Sequence, residues 1–102
     1  MQDEVLRQYM KSACKGKKNN RSAKNLKTDL HMSEKEFQRK VHRLRCAGIP
    51  IAATRSGYFY AETAAEIYAT IHQLMKFRDG VEDAIRGLEG ALEKFSIQEE
   101  GR

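Results

Sequence analysis

The chain has 102 residues, of which 40% are hydrophobic and 32% charged, with a net charge of +5. That length fits one small domain with an accessory element and argues against a second independent domain. No apolar run of roughly 18 residues exists to form a spanning helix, and Met1-Gln2-Asp3-Glu4 is acidic where a secretory leader would be basic, so the expectation is a cytoplasmic protein with no membrane partner. Cys14 and Cys46 lack CxxC spacing, which favours reduced thiols over a disulfide framework. The charge is unevenly placed. Residues 1–57 carry 14 Lys and Arg against 5 acids, a net +9, whereas residues 58–102 carry 5 against 9, a net −4. A polyanion is the natural partner of the first part, and the second part has a different task.

In chain order, Val5, Leu6, Tyr9, Met10 and Ala13 recur at helical spacing and predict a first helix over residues 2–14. The polar run Lys15-Gly16-Lys17-Lys18-Asn19-Asn20-Arg21 reads as a loop whose cations suit a phosphate backbone. Ser22 is an N-cap for a second helix with Ala23, Leu26 and Leu30 on one face. His31-Met32 forms the turn that follows, where a residue at positive φ is needed and His tolerates it better than most. Ser33-Glu34-Lys35-Glu36 is a capping box opening a third helix, with Glu36 expected to reach back to the Ser33 N–H. Phe37, Val41 and Leu44 mark its buried stripe. Opposite them stand Lys35, Arg39, His42 and Cys46, with Gln38 and Arg43 on the flanks. Arg and Gln offer bidentate readout of guanine and adenine, Lys offers phosphate contacts, and His42 adds a titratable cation.

Gly48 is expected to end that helix. Ile49-Pro50-Ile51-Ala52-Ala53 and Tyr58-Phe59-Tyr60-Ala61 read as two strands around the turn Thr54-Arg55-Ser56-Gly57, which places Arg55 at a hairpin tip. Leu44-Arg45-Cys46-Ala47-Gly48-Ile49-Pro50-Ile51 followed by Gly57-Tyr58-Phe59 resembles the end of the recognition helix and the wing of bacterial winged helix-turn-helix regulators. It is similar to the DNA-binding domain of the biotin-operon repressor family, and its layout resembles small phage and prophage proteins that add a C-terminal helix. The resemblance covers residues 3–61. It implies double-stranded DNA binding through Lys35, Gln38, Arg39, His42 and Arg43, with backbone support from Ser22, Lys24, Ser33 and Arg55. Two features depart from the family pattern: His31 stands where Gly is usual, and the loop before the second helix is longer and more basic.

Behind Thr63-Ala64-Ala65-Glu66, a second capping box, Ile67, Ile71, Leu74, Arg78, Val81, Ile85, Leu88, Leu92 and Phe95 follow alternating steps of four and three. That is a heptad seam, with Arg78 in a core a position, and it predicts a homodimerisation helix. Gly80, Gly87 and Gly90 favour the rival reading of a helical hairpin that turns at Asp79-Gly80. The periodicity favours one continuous helix.

The expected fold is therefore mainly α with a small β-hairpin, a winged helix-turn-helix domain over residues 1–61 followed by a long coiled-coil-like helix over 62–102. No phosphate loop, HExxH or nucleophile elbow points to an enzyme. Cys14, His31, His42 and Cys46 lack the convergent spacing of a metal site, and no cofactor or small-molecule ligand is evident. The expected function is sequence-specific duplex binding by a small dimeric transcriptional regulator. The alternatives are a phage or plasmid replication or packaging factor and a winged-helix protein-interaction module.

Overall fold

Helix α1 (Gln2–Ala13) is followed by a 3-10 turn (Lys17–Asn19), then by α2 (Ala23–Leu30), α3 (Glu34–Cys46), strands β1 (Ile51–Thr54) and β2 (Gly57–Tyr60), and α4 (Ala64–Glu100). This computed structural model describes residues 2–100, and side chains over residues 3–95. Met1, Gly101 and Arg102, which end the two expected segments, lie outside the described residues. The chain is mainly helical, with one antiparallel hairpin. No helix among the described residues is long and apolar enough to cross a membrane. The chain divides into Met1–Thr70 and Ile71–Arg102.

In the first unit, Leu6, Met10 and Cys14 repeat every four residues and bring one stripe of α1 and its end onto Leu26, Phe37, Val41, Leu44, Ile51, Ala52 and Phe59. Leu6, Met10, Cys14 and Leu26 are wholly buried. Burying an aliphatic side chain of this size contributes about 1.5–3 kcal/mol. Val5, assigned to the same stripe by its spacing, is instead 59% exposed. It lies on the outer side of Leu6, so the buried stripe is narrower than the periodicity implied.

The helix ends follow local chemistry. The Ser22 and Ser33 hydroxyls accept from the Asn25 and Glu36 backbone N–H groups at 3.1 and 3.2 Å. The reciprocal half of the Ser33 box is not made, because the Glu36 carboxylate sits 3.9 Å from Lys40 Nζ. His31 closes α2 in the left-handed region, at φ 54° and ψ 49°, the one non-glycine residue at positive φ among those described. Gly48, at φ 85°, follows α3, where the Ile49 N–H reaches the Leu44 carbonyl and the Gly48 N–H reaches the Arg45 carbonyl, both at 3.0 Å. These two bonds form a Schellman motif, which only a residue free to adopt positive φ accommodates readily.

β1 and β2 pair with Ile51 opposite Tyr60 and Thr54 opposite Gly57, leaving Arg55-Ser56 as the loop. The first strand starts later than its hydrophobic run because the Pro50 nitrogen cannot donate; its carbonyl accepts from Ala61 N–H at 2.9 Å. The far edge of β2 is also occupied. Tyr58 exchanges both backbone bonds with Arg21, at 2.8 and 2.9 Å, and Tyr60 accepts from Gly16 N–H and donates to the Cys14 carbonyl at 2.8 and 2.7 Å. The basic loop is thus stitched to the hairpin. Gly57 permits this approach, since a Cβ there would lie 2.3 Å from the Arg21 carbonyl oxygen.

The Thr63 box at the start of α4 is complete. Thr63 Oγ1 accepts from Glu66 N–H, and Glu66 Oε1 accepts from Thr63 and Glu62 N–H groups, while Glu66 Oε2 accepts from Lys17 N–H at 3.1 Å. Hydrogen bonds from the Glu62, Lys17 and Thr63 backbone hold the Glu66 carboxyl below the usual range. One turn on, buried Thr70 accepts the Ala53 N–H at 3.2 Å. These contacts carry the first unit past the expected boundary at residue 61.

The second unit is the rest of α4. The helix runs unbroken through Asp79-Gly80, as the heptad spacing implies, and the hairpin alternative does not occur. A Cβ at Gly80, Gly87 or Gly90 would meet nothing within 4 Å.

Candidate nucleic-acid interface

All five acids of residues 1–57 face a cation. Asp3 holds Arg43, Glu4 holds Arg7, Asp29 holds Arg21, Glu34 holds Lys27, and Glu36 approaches Lys40. Nine cations remain, equal to the net charge of that segment. Arg45 is one, and it is partly buried with its Nε donating to the Ile51 carbonyl at 2.8 Å; burial lowers its pKa. The other eight are Lys11, Lys15, Lys17, Lys18, Lys24, Lys35, Arg39 and Arg55. Each is exposed, and none has a carboxylate within 4 Å of its side-chain cation among the described residues, Lys17 meeting Glu66 only through its backbone N–H. The positive excess is therefore available to an outside anion.

On α3 the buried residues are Phe37, Lys40, Val41 and Leu44. Lys40 was not legible as buried. It follows Phe37 by three positions, so its aliphatic stem lies along the apolar stripe while its ammonium turns to Glu36. Lys35, Gln38, Arg39, His42, Arg43 and Cys46 are exposed, on the side the helical wheel assigned to them.

Their engagement differs. Lys35 and Arg39 face no acid. Gln38 Nε2 donates to Glu34 Oε1 at 3.2 Å, and His42 Nε2 lies 3.6 Å from Cys46 Sγ. Arg43 is clasped by Asp3 in a bidentate pair, Nε to Oδ2 at 2.7 Å and Nη2 to Oδ1 at 2.8 Å. The Arg43 guanidinium holds the Asp3 carboxyl below its ordinary value. Arg7 draws the neighbouring Glu4 down to about 2. No spacing rule links residue 3 to residue 43, so the clasp could be found only in three dimensions.

The supporting residues come from two converging segments. Ser22 and Lys24 open α2, and Arg55 sits at the hairpin tip. The Arg21-Ser22 backbone lies directly against Gly57, two residues after Arg55. The start of α2 and the tip of the hairpin are thereby brought together. Phe37 of α3 meets Tyr58 of β2 edge to face, with ring centroids 5.0 Å apart, which fixes α3 against the same hairpin. The Ser22 and Ser33 hydroxyls accept at the helix starts and keep their own hydrogens for an outside acceptor.

A second polar cluster escaped the sequence reading. Tyr9 Oη donates to Asp29 Oδ2 at 2.9 Å, while Arg21 donates to both and lies 5.8 Å over the Tyr9 ring. It ties α1, the basic loop and α2 together and raises the Tyr9 pKa, chiefly through Asp29. Both cysteines are free; Cys14 is buried, which pushes its thiol up, and Cys46 is exposed. No group of three or more metal-ligating side chains gathers among the described residues. No protein-family model matches the chain, and neither the curated proteins nor the solved structures gave a significant match.

Proposed function

We propose that this protein binds double-stranded DNA as a winged helix-turn-helix module, with α3 entering the major groove and the β1–β2 hairpin acting as the wing, in the service of transcriptional regulation. The observation that carries this reading is the distribution of charge: all five acids of residues 1–57 are occupied, and eight exposed cations form no ion pair among the described residues. The order of elements supports it. Two helices joined at a left-handed His31 precede a hairpin packed on the second of them through Phe37 and Tyr58.

In this reading the residues divide by role. Arg39, Gln38 and His42 face the base edges, with Arg39 suited to guanine O6 and N7. Lys35, Lys24, Arg55 and the hydroxyls of Ser22 and Ser33 position the helix on phosphates, which carry affinity without sequence information. Arg43 enters only by exchanging Asp3 for a phosphate or a base.

Salt titration tests the reading. If six or more phosphates are neutralised, affinity should fall by about a thousandfold or more between roughly 50 and 200 mM salt. Arg39→Ala should weaken binding to the preferred sequence by about tenfold or more, whereas Lys24→Ala should weaken all sequences alike and flatten the salt slope by about one unit. Absence of binding to pooled genomic duplexes at about 50 mM salt would remove the proposal and favour a protein-docking role for the cationic face.

A further inference from the structure

The seam of α4 is uncovered. From Ile71 to Phe95 its apolar members are 39% to 70% exposed, and α4, being continuous, does not fold back on itself to cover them. We infer that this face pairs with α4 of a second copy as a parallel, in-register, two-stranded coiled coil. The inference does not rest on DNA binding, since self-association is read without DNA.

Four observations select that occupant. Alternating steps of four and three keep the stripe at a mean period of about 3.5, which stays aligned along a like helix that supercoils with it and drifts on a straight surface. Ile71 with Leu74 and Ile85 with Leu88 place a β-branched residue at a and leucine at d, the combination that favours two parallel strands, while Val81 and Phe95 at d and Leu92 at a depart from it.

Charge chooses the orientation. The e edge carries Glu82 and Glu89, whereas the g edge carries Ala84 and Ala91. Parallel strands set e against the partner's g, acid against alanine. Antiparallel strands set e against e, acid against acid. The same acids disfavour a nucleic acid on this face, where the segment from residue 58 onward is net −4.

The area is compatible with a pair. At roughly 60–100 Å² per exposed apolar side chain, the seam from Ile71 to Phe95 offers on the order of 400–700 Å² per copy, or about 800–1,400 Å² for two, against the roughly 1,000 Å² that a specific interface clears. Glycines at 80 and 87 lie outside the seam, where they neither fill nor interrupt it. Arg78 then meets its own counterpart in one a layer. Any shift of register would bury each Arg78 against an aliphatic layer, so the residue weakens the pair while fixing its alignment.

Sedimentation velocity of the full chain should show a dimer at micromolar concentration. Leu88→Lys should convert it to a monomer that retains the helical content of residues 2–60, and Arg78→Ile should lower the dissociation constant by at least about tenfold. For orientation, Leu74→Cys and Leu88→Cys, made separately with Cys46→Ser, should each cross-link in glutathione buffer, because a parallel pair brings both positions against themselves. An antiparallel pair can do so for at most one of them. A monomer throughout, or a dimer indifferent to Leu88→Lys, would overturn the pairing; a dimer in which only one cysteine or neither cross-links would overturn its direction.

Discussion

Helices α3 and α4 are both amphipathic, yet their apolar stripes meet opposite fates. On α3, Phe37, Val41 and Leu44 are at most 6% exposed, and the opposite side presents cations without acids. On α4, Leu88, Leu92 and Phe95 are more than 60% exposed, and charge of both signs surrounds them. Periodicity alone does not distinguish these cases, because it reports that a stripe exists and not what covers it. The residues between the stripes do. Sequence within reach of α3 supplies caps, a Schellman closure and a hairpin to pack on, whereas the α4 stripe stays exposed among the described residues.

The largest test of the contrast uses one aromatic ring from each stripe. Phe37→Ala should cost about 3–5 kcal/mol in chemical denaturation because the site is fully enclosed. Phe95→Ala, at 62% exposure, should leave the fold of residues 2–70 unchanged and alter only concentration-dependent behaviour.

The glycines sharpen the same point with opposite signs. Gly57→Ala drives a Cβ onto backbone that cannot give way and should destabilise by about 2 kcal/mol or more, as overpacking does. Gly80→Ala meets open space inside a helix and should stabilise α4 by about 0.5–1 kcal/mol, seen as increased helicity by circular dichroism. A smaller effect belongs to His31. Replacement by Gly should raise stability by up to about 1 kcal/mol by relieving the left-handed conformation, and replacement by Val should lower it.

Much of the fold was legible because its signals are local. Ser22, Ser33 and Thr63 begin helices, His31 takes the left-handed turn, Gly48 closes α3, and Thr54 to Gly57 turns the hairpin, each by a mechanism confined to a few residues. The outward placement of Lys35, Gln38, Arg39, His42 and Arg43 followed from one wheel. The rest required contacts distant in sequence. Burial of Lys40 depends on the way its stem lies along the stripe, and the Asp3–Arg43 clasp spans forty positions. The bridges from Arg21 and Gly16 to β2 use backbone groups that have no side-chain signature.

The smallest effect concerns that clasp and acid. Arg43 holds Asp3 below its ordinary pKa, and Arg7 holds Glu4 at about 2. Folded values lying below unfolded ones mean stabilisation that is complete above the ordinary carboxylate range and lost as pH falls through the depressed values. Thermal stability should therefore decline between about pH 4.5 and 2, and Asp3→Asn should make that decline shallower. At neutral pH the same substitution frees Arg43, so duplex affinity should rise modestly; a fall would mean that Asp3 positions Arg43 for contact instead of withholding it.

Selection of bound duplexes from a random pool by the purified full-length protein tests the central claim most directly. Duplex reading by α3 predicts an enriched motif whose preferred bases relax at one position in Arg39→Ala, and pairing through α4 predicts that the motif recurs as two half-sites. A pool that emerges without enrichment at low salt would contradict duplex recognition, whatever the oligomeric state of the protein.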